Sequence, residues 1–414
     1  MLKSELLELV ANGESTLIEF KRDDVHAEQL AREIVALVNS HGGRVLLGVE
    51  DDGTLVGIQR KDLEHWVMDT VFSRYVHPWI LPSYEEVEVE DDVRIAVITV
   101  TQGTAKPYVL RHGDREEIYI RMGSTSCRAT REQQARLFAT GGLIHMEALP
   151  VSGSKLSDLS EARLTNYLLG IMGDHDRPAD DGAWVQRLTQ LEFMTEVEDS
   201  GPVCTIAGLV LFGLRPRRLL RQAGVRWMAF AGDEKSYDAL DDAVIDAPLV
   251  GLWENAPGSS DLLEEGLFET FLDRIRPFIS DEASETGESF RRDRSWHYPV
   301  AALREAVVNA VAHRDWTRAN EVEVIRYNDR LEVISPGALQ NSMTVDKMVG
   351  GQRSPRNPII VEVLRDYGYV DARGMGVRRK IIPLVREASG REPVFEATED
   401  ALTVTLPRAE SQGA

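Results

Sequence analysis

The stretch that most constrains this chain is HAEQLAREIVALVNSHGGRVLLGVEDDG, residues 26–53. Leu30, Ile34, Leu37 and Val38 recur at i, i+4, i+7 and i+8, the spacing of one helical face. His41-Gly42-Gly43 ends that helix, since glycine disfavours its continuation and permits a tight turn. RVLLGVE then runs apolar with little alternation, as a buried strand does. Asp51-Asp52-Gly53 turns the chain back into TLVGI as a hairpin. A helix stopped sharply before a buried strand means a helix layer packed on a sheet, so residues 1–145 read as one α+β domain.

The flanking pattern agrees. A helix is expected at 3–11 and a strand at STLIEF, where Ile18 and Phe20 alternate with polar neighbours. A helix near 60–75, strands at 84–90, 93–101 and 116–121, and a helix near 130–139 follow. LPVSGSKLSD at 149–158 has linker composition. Residues 158–200 read as helical, while TIAGLVLFG and AGVRWMAFAG read as strands joined by the basic turn LRPRRLLRQ. From WHYPVAALREAVVNAVAHRDW onward the pattern is helix, strands, Gly-rich turn, helix, strand: a second α/β domain. The fold class is therefore α/β, divided into 1–145, a connecting region 146–290 and a C-terminal domain 291–410. Trp66, Trp79 and Trp296 are expected in cores.

At 414 residues and 43% hydrophobic, the chain can build two or three cores. No apolar run approaches the roughly 20 residues of a membrane helix, and the start lacks the h-region of a signal peptide. Two cysteines far apart, Cys127 and Cys204, argue against a disulfide framework or a zinc motif. The expectation is a cytoplasmic protein with no membrane partner. The net charge of −21 argues against a non-specific nucleic-acid coat but leaves room for a local basic groove. Residues 231–290 hold 16 acidic residues against three basic ones, so much of the excess sits there. RPRRLLRQ (215–222), RRDR (291–294) and Arg111, Arg115, Arg121, Arg128 and Arg131 are the basic counterweights.

Two constellations carry chemistry. In the first, Glu19 and Lys21 share a face of the strand at STLIEF, Glu14 lies just before it, and Asp51 ends the next strand. Carboxylates gathered at neighbouring strand ends repel, and a hard divalent cation such as Mg²⁺ or Mn²⁺ relieves that cost. On spacing alone the same residues read first as exposed strand and turn charges, with Glu19 paired to a neighbouring Lys or Arg. ESTLIEFKRD, the 39–58 segment NSHGGRVLLGVEDDGTLVGI and YIRMGSTSCRATREQQARLF at 119–138 together resemble the Schlafen family's AlbA-like domain over residues 10–140. That resemblance implies a metal-dependent RNA-cutting triad at Glu14, Glu19 and Asp51; Lys21, on the same strand face as Glu19, is placed to neutralise phosphate charge. Asn39, Gly42 and Gly43 read as structural.

In the second, Glu305, Asn309 and His313 sit at i, i+4 and i+8, a polar stripe on an apolar helix. LREAVVNAVAHRDW, LEVISPGAL, SPRNPII and GMG, in that order over 295–405, resemble the divergent branch of the histidine-kinase-like (GHKL) ATPase superfamily. The resemblance implies an α/β sandwich that binds ATP. Asn309 would ligate Mg²⁺, Glu305 would orient the attacking water, and His313, Gly337, Gly374 and Gly376 would complete the nucleotide site. The superfamily's adenine-reading aspartate is here Ser335. The combined expectation is a Schlafen-like nuclease acting on RNA (transfer RNA) or single-stranded DNA, regulated by ATP, in stress or phage defence. The alternative is an ATP-responsive DNA-binding transcriptional regulator that does not cut. The pattern leaves a homo-oligomer open.

Overall fold

A computed structural model describes residues 1–90, 93–113, 115–143, 145–198, 200–254, 261–282, 294–340, 343–371 and 375–409. The chain divides into two compact units, Met1–Ile144 and His145–Ala414. Both mix helices with sheets, and the fold is α/β. Among the described residues no helix is long and apolar enough to cross a membrane.

The first unit is built on a four-stranded sheet in the order Ile18–Lys21, Gly42–Leu47, Val93–Thr101, Ser83–Glu90. The first two strands are parallel, with Ile18 opposite Arg44, and the others antiparallel. A parallel pair needs a crossover, and the helix Ala27–Asn39 supplies it. Cores lie on both faces of this sheet. Leu30, Ile34, Val45, Leu47 and Ile98 fill one, and Leu6, Phe20, Leu46 and Val97 the other. That is why RVLL shows no alternation. At the helix end, buried Asn39 donates to the carbonyls of Tyr108 (2.8 Å) and Tyr119 (2.9 Å) and accepts from the Tyr108 N–H (2.8 Å). It ties the helix to the later strands.

The second unit carries a six-stranded sheet ordered Asp241–Ile245, Val225–Ala229, Val322–Arg326, Arg330–Pro336, Ala401–Pro407, Val394–Ala397. Two of these strands come from the 146–290 region. The helix Val300–His313 packs on Arg330–Pro336 and on the π-helical turn Val377–Ile381, giving a helix layer over the sheet. One core runs through this unit, from Leu164 and Phe212 to Leu303, Val333 and Leu406.

Three expectations are corrected. TIAGLVLFG forms the helix Ile206–Phe212, not a strand. All seven of its residues are buried, and a run buried on every side carries no period to separate helix from strand. Thr205 caps it, accepting from the Gly208 N–H at 3.1 Å. Within 158–200, Met194–Val197 leaves the helical pattern and pairs with Gly201–Cys204 as a hairpin. Trp79 is not in a core: it is 64% exposed in a loop between Pro78 and Pro82. Trp66 is half-buried, with the Arg60 guanidinium over its ring at 4.1 Å.

Candidate functional site

The polar stripe of the helix Val300–His313 opens into a cavity of about 460 Å³ in the second unit. Glu305, Asn309 and His313 line it from the helix side, Val333, Ser335 and Val404 from the sheet, and Gly337 and Gly376 from two turns. Gly374 lies outside the described residues. Asn309 donates its amide to Glu305 Oε1 at 3.2 Å, and Lys380 Nζ stands 3.2 Å from Glu305 Oε2.

The turns are shaped by close approaches. Gly337 has φ +110°, and a Cβ there would lie 2.5 Å from Asp315 Cβ. Gly376 opens the segment Val377–Ile381, and its Cβ would lie 1.7 Å from Glu305 Oε1. Backbone thus rests directly on the Glu305 carboxylate. Only glycine leaves that space.

The HRDW and RNP segments form the frame. Arg314 is buried and donates to the carbonyls of Gln222 (2.5 Å), Asp315 (3.3 Å), Arg318 (2.9 Å) and Asn320 (2.9 Å). Burial pushes its pKa down to about 10, so it remains charged at neutral pH. Asp315 Oδ2 pairs with Arg356 at 3.0 Å, and Arg356 also donates to the Ala338 carbonyl. Asn357 donates to Ala312 O and Arg314 O, each at 2.9 Å. Buried Glu147 accepts from the N–H groups of Ile359 (2.8 Å) and Ile360 (2.9 Å), closing the start of the helix Pro358–Asp366. Sequence reasoning missed Lys380, Arg356, Asn357 and Glu147. RNP stood in the quoted motif without a role, and Lys380 lies at i+4 from Gly376 on one helix face.

Ser335 donates its hydroxyl to the Ala310 carbonyl at 2.8 Å, so that hydroxyl proton is already used. His313 is held neutral: burial first, and the Arg356 charge second, lower its pKa to about 4 from 6.5. The folded state then binds less proton than the unfolded state between those values. Stability is therefore full above pH 6.5 and falls as pH drops toward 4. Because His313 faces the cavity, water softens the penalty, and a loss between about 1 and 3 kcal/mol is expected. Urea denaturation of wild type and His313→Gln across this range checks it: the variant's curve should be flatter there.

In the first unit, Glu19 is buried and its two oxygens are divided between two cations: Oε1 lies 2.5 Å from Lys21 Nζ and Oε2 2.7 Å from Arg121 Nη1. Arg121 also reaches Glu33 (3.3 Å), Ser126 Oγ (3.2 Å) and the carbonyls of Ser15 (2.8 Å) and Ile18 (3.3 Å). Burial lowers the Lys21 pKa, but Glu19, with Glu33 and Glu14 beyond it, outweighs that and raises it. Burial also raises the Glu33 pKa, reinforced by Glu19. Glu14 accepts the Phe20 N–H at 3.0 Å, and Asp51 lies exposed in the turn after the second strand. Among the described residues no three His, Cys, Asp or Glu side chains are grouped to hold a metal. With Glu19 doubly ion-paired, the acids in this arrangement do not fit a metal centre. Arg111 and Arg128 are paired with Glu116 and Glu117, while Arg115 and Arg131 are exposed.

These features define the class: an α+β domain with its sheet covered on both faces, and an α/β sandwich with a cavity under its helix layer. Residues 14–130 match the family described as "Schlafen, AlbA_2", and residues 319–406 the family described as "Putative ATP-dependent DNA helicase recG C-terminal". The chain carries a Schlafen AlbA_2 domain and, toward its C-terminus, an ATPase-like domain of the recG C-terminal type, as the motifs imply. The helix bearing Glu305, Asn309 and His313 precedes the second matched range. Among solved structures, the DIP2311 protein from Corynebacterium diphtheriae is similar at 19% identity and a TM-score of 0.42, covering 99% of this chain and 81% of that one. The N-terminal domain of a RecG-related protein from Nitrosomonas europaea, titled a "Putative ATP-dependent DNA Helicase", is similar at 23% identity and a TM-score of 0.25. It covers 31% of this chain and 94% of that one. No curated protein matches the chain.

Proposed function

We propose that this is a cytoplasmic, nucleotide-responsive protein acting on nucleic acid. The 291–410 domain binds Mg²⁺-ATP, the 1–145 domain binds RNA or single-stranded DNA, and 146–290 connects them. One observation carries the nucleotide reading: Glu305, Asn309, His313, Gly337 and Gly376, brought from three parts of the sequence, line one cavity of a size suited to a small ligand. Asn309 spends its amide N–H on Glu305, which leaves its carbonyl oxygen as the end suited to a hard cation. Glu305 is placed to orient a water for attack on the terminal phosphate. Gly337 and Gly376 let backbone approach the phosphates. Bound Mg²⁺ would neutralise phosphate charge. The free thiols Cys127 and Cys204 suit a reducing compartment.

For the first domain, the buried pairing of Glu19 favours binding without cutting, the regulator-like alternative. Metal-dependent cleavage by Glu14, Glu19 and Asp51, with Lys21, stands as the second reading. It rests on the match to the Schlafen family, and it needs Glu19 released from Lys21 and Arg121. The two are separated by incubating a transfer RNA and DNA panel with Mg²⁺ or Mn²⁺. Cleavage in wild type that disappears in a Glu14→Gln, Glu19→Gln, Asp51→Asn triple variant establishes the nuclease, and with it a defence role becomes testable.

The nucleotide reading is tested by calorimetry. Mg²⁺-ATP is expected to bind wild type, and Asn309→Ala to weaken it by about tenfold or more, since a metal ligand is lost. Equal affinity in the two proteins removes Asn309 from the metal. No heat or competition signal in wild type contradicts the reading.

A further inference from the structure

We propose that Lys380 is a phosphate-positioning residue of this cavity, bridging Glu305 and the terminal phosphates of a nucleoside triphosphate. The inference rests on the nucleotide reading above. Lys380 lies one helical turn beyond Gly376, and its ammonium stands 3.2 Å from Glu305 Oε2. The Glu305 side chain is only 9% exposed, whereas that of Lys380 is 41% exposed. The carboxylate is thus fixed, with Asn309 on its other oxygen and the Gly376 backbone against it. The lysine is anchored at its tip by that fixed carboxylate while its side chain remains partly exposed.

An ammonium has three N–H donors. Glu305 takes one, and among the described residues it is the sole ion-pair partner of Lys380. The remaining donors suit phosphate oxygens brought to the Glu305–Asn309 end of the cavity. The charges favour such a group beside the Mg²⁺. A triphosphate placed beside Glu305 puts anions against a buried carboxylate, and like charges at that range repel strongly where water is sparse. A cation shared between them removes the repulsion. Arg353, Arg356 and Arg365 line the cavity itself, with Arg356 paired to Asp315 and Arg365 to Glu362, while Lys380 stands beside it and reaches it through Glu305. A salt bridge that merely held the helix would not distinguish ligands by phosphate number. This role does.

The test is calorimetric titration of adenosine, Mg²⁺-ADP and Mg²⁺-ATP into wild type, Lys380→Met and Lys380→Arg, with thermal melting to confirm the fold. Lys380→Met should weaken ATP by about tenfold or more, the cost of losing a charge-assisted hydrogen bond. It should weaken ADP less and leave adenosine unchanged, while Lys380→Arg keeps most of the ATP affinity. Equal losses for all three ligands would show a structural role, and unchanged ATP affinity in Lys380→Met would show none. Either overturns the inference while leaving the nucleotide reading intact. Failure of wild type to bind any of the three overturns both.

Discussion

Replacing Arg121 by methionine is expected to destabilise the first unit by about 3–5 kcal/mol, the usual cost of removing one partner from a buried charge network. Arg121 is fully enclosed, and five groups accept or share its protons: Glu19, Glu33, Ser126 and the carbonyls of Ser15 and Ile18. Without it, Glu19 and Glu33 face each other across a buried space with Lys21 as the remaining cation. Burial first, and the Glu19 charge after it, already raise the Glu33 pKa. A Glu19→Gln change on the Arg121→Met background should restore part of the loss, because it removes one of the stranded charges. Chemical denaturation of the intact chain measures both. A loss below about 1 kcal/mol for Arg121→Met would mean the cluster is solvated, as surface pairs are.

Gly376→Ala is expected to abolish most nucleotide binding while the second unit still folds. The added methyl would sit 1.7 Å from Glu305 Oε1 and 2.2 Å from its Cδ. No relaxation of a few tenths of an ångström relieves that. Glu305 is the movable partner, so its carboxylate must leave Asn309 and Lys380. The stability cost should stay near about 1–3 kcal/mol, the range for an overpacked site. Affinity for Mg²⁺-ATP should fall by more than about tenfold, since two positioned polar groups lose their partner. Thermal melting beside calorimetry separates the effects. Wild-type affinity in the variant would show that the Glu305 position is irrelevant to the ligand.

The helix Ala27–Asn39 was legible because its one apolar face follows a 3.6-residue period, and the glycines after it mark its end. The stripe on Val300–His313 was legible for the converse reason: polar groups at helical spacing on an apolar element have few places to go except a cavity. Ile206–Phe212 was opaque, because total burial erases periodicity. Arg121 looked like one of several cations for a groove. Its partners come from a strand more than 100 residues earlier and a helix 88 residues earlier, a distance no local pattern spans. Lys380 was opaque likewise, as Glu305 lies 75 residues before it. Trp79 misleads because large aromatics are usually buried, whereas this one stands exposed in a loop between two prolines.

The central claim is that nucleotide bound in one unit alters nucleic-acid binding by the other. Coupling of that kind is typically worth about 5- to 150-fold in affinity. The most direct measurement is fluorescence anisotropy of labelled transfer RNA and single-stranded DNA, with and without saturating Mg²⁺-ATP, in wild type and Asn309→Ala. The account predicts that ATP shifts the wild-type dissociation constant for at least one of these by about fivefold or more, and that Asn309→Ala shows no shift at the same concentration. Superimposable wild-type curves, with ATP binding verified by calorimetry in the same buffer, would contradict it.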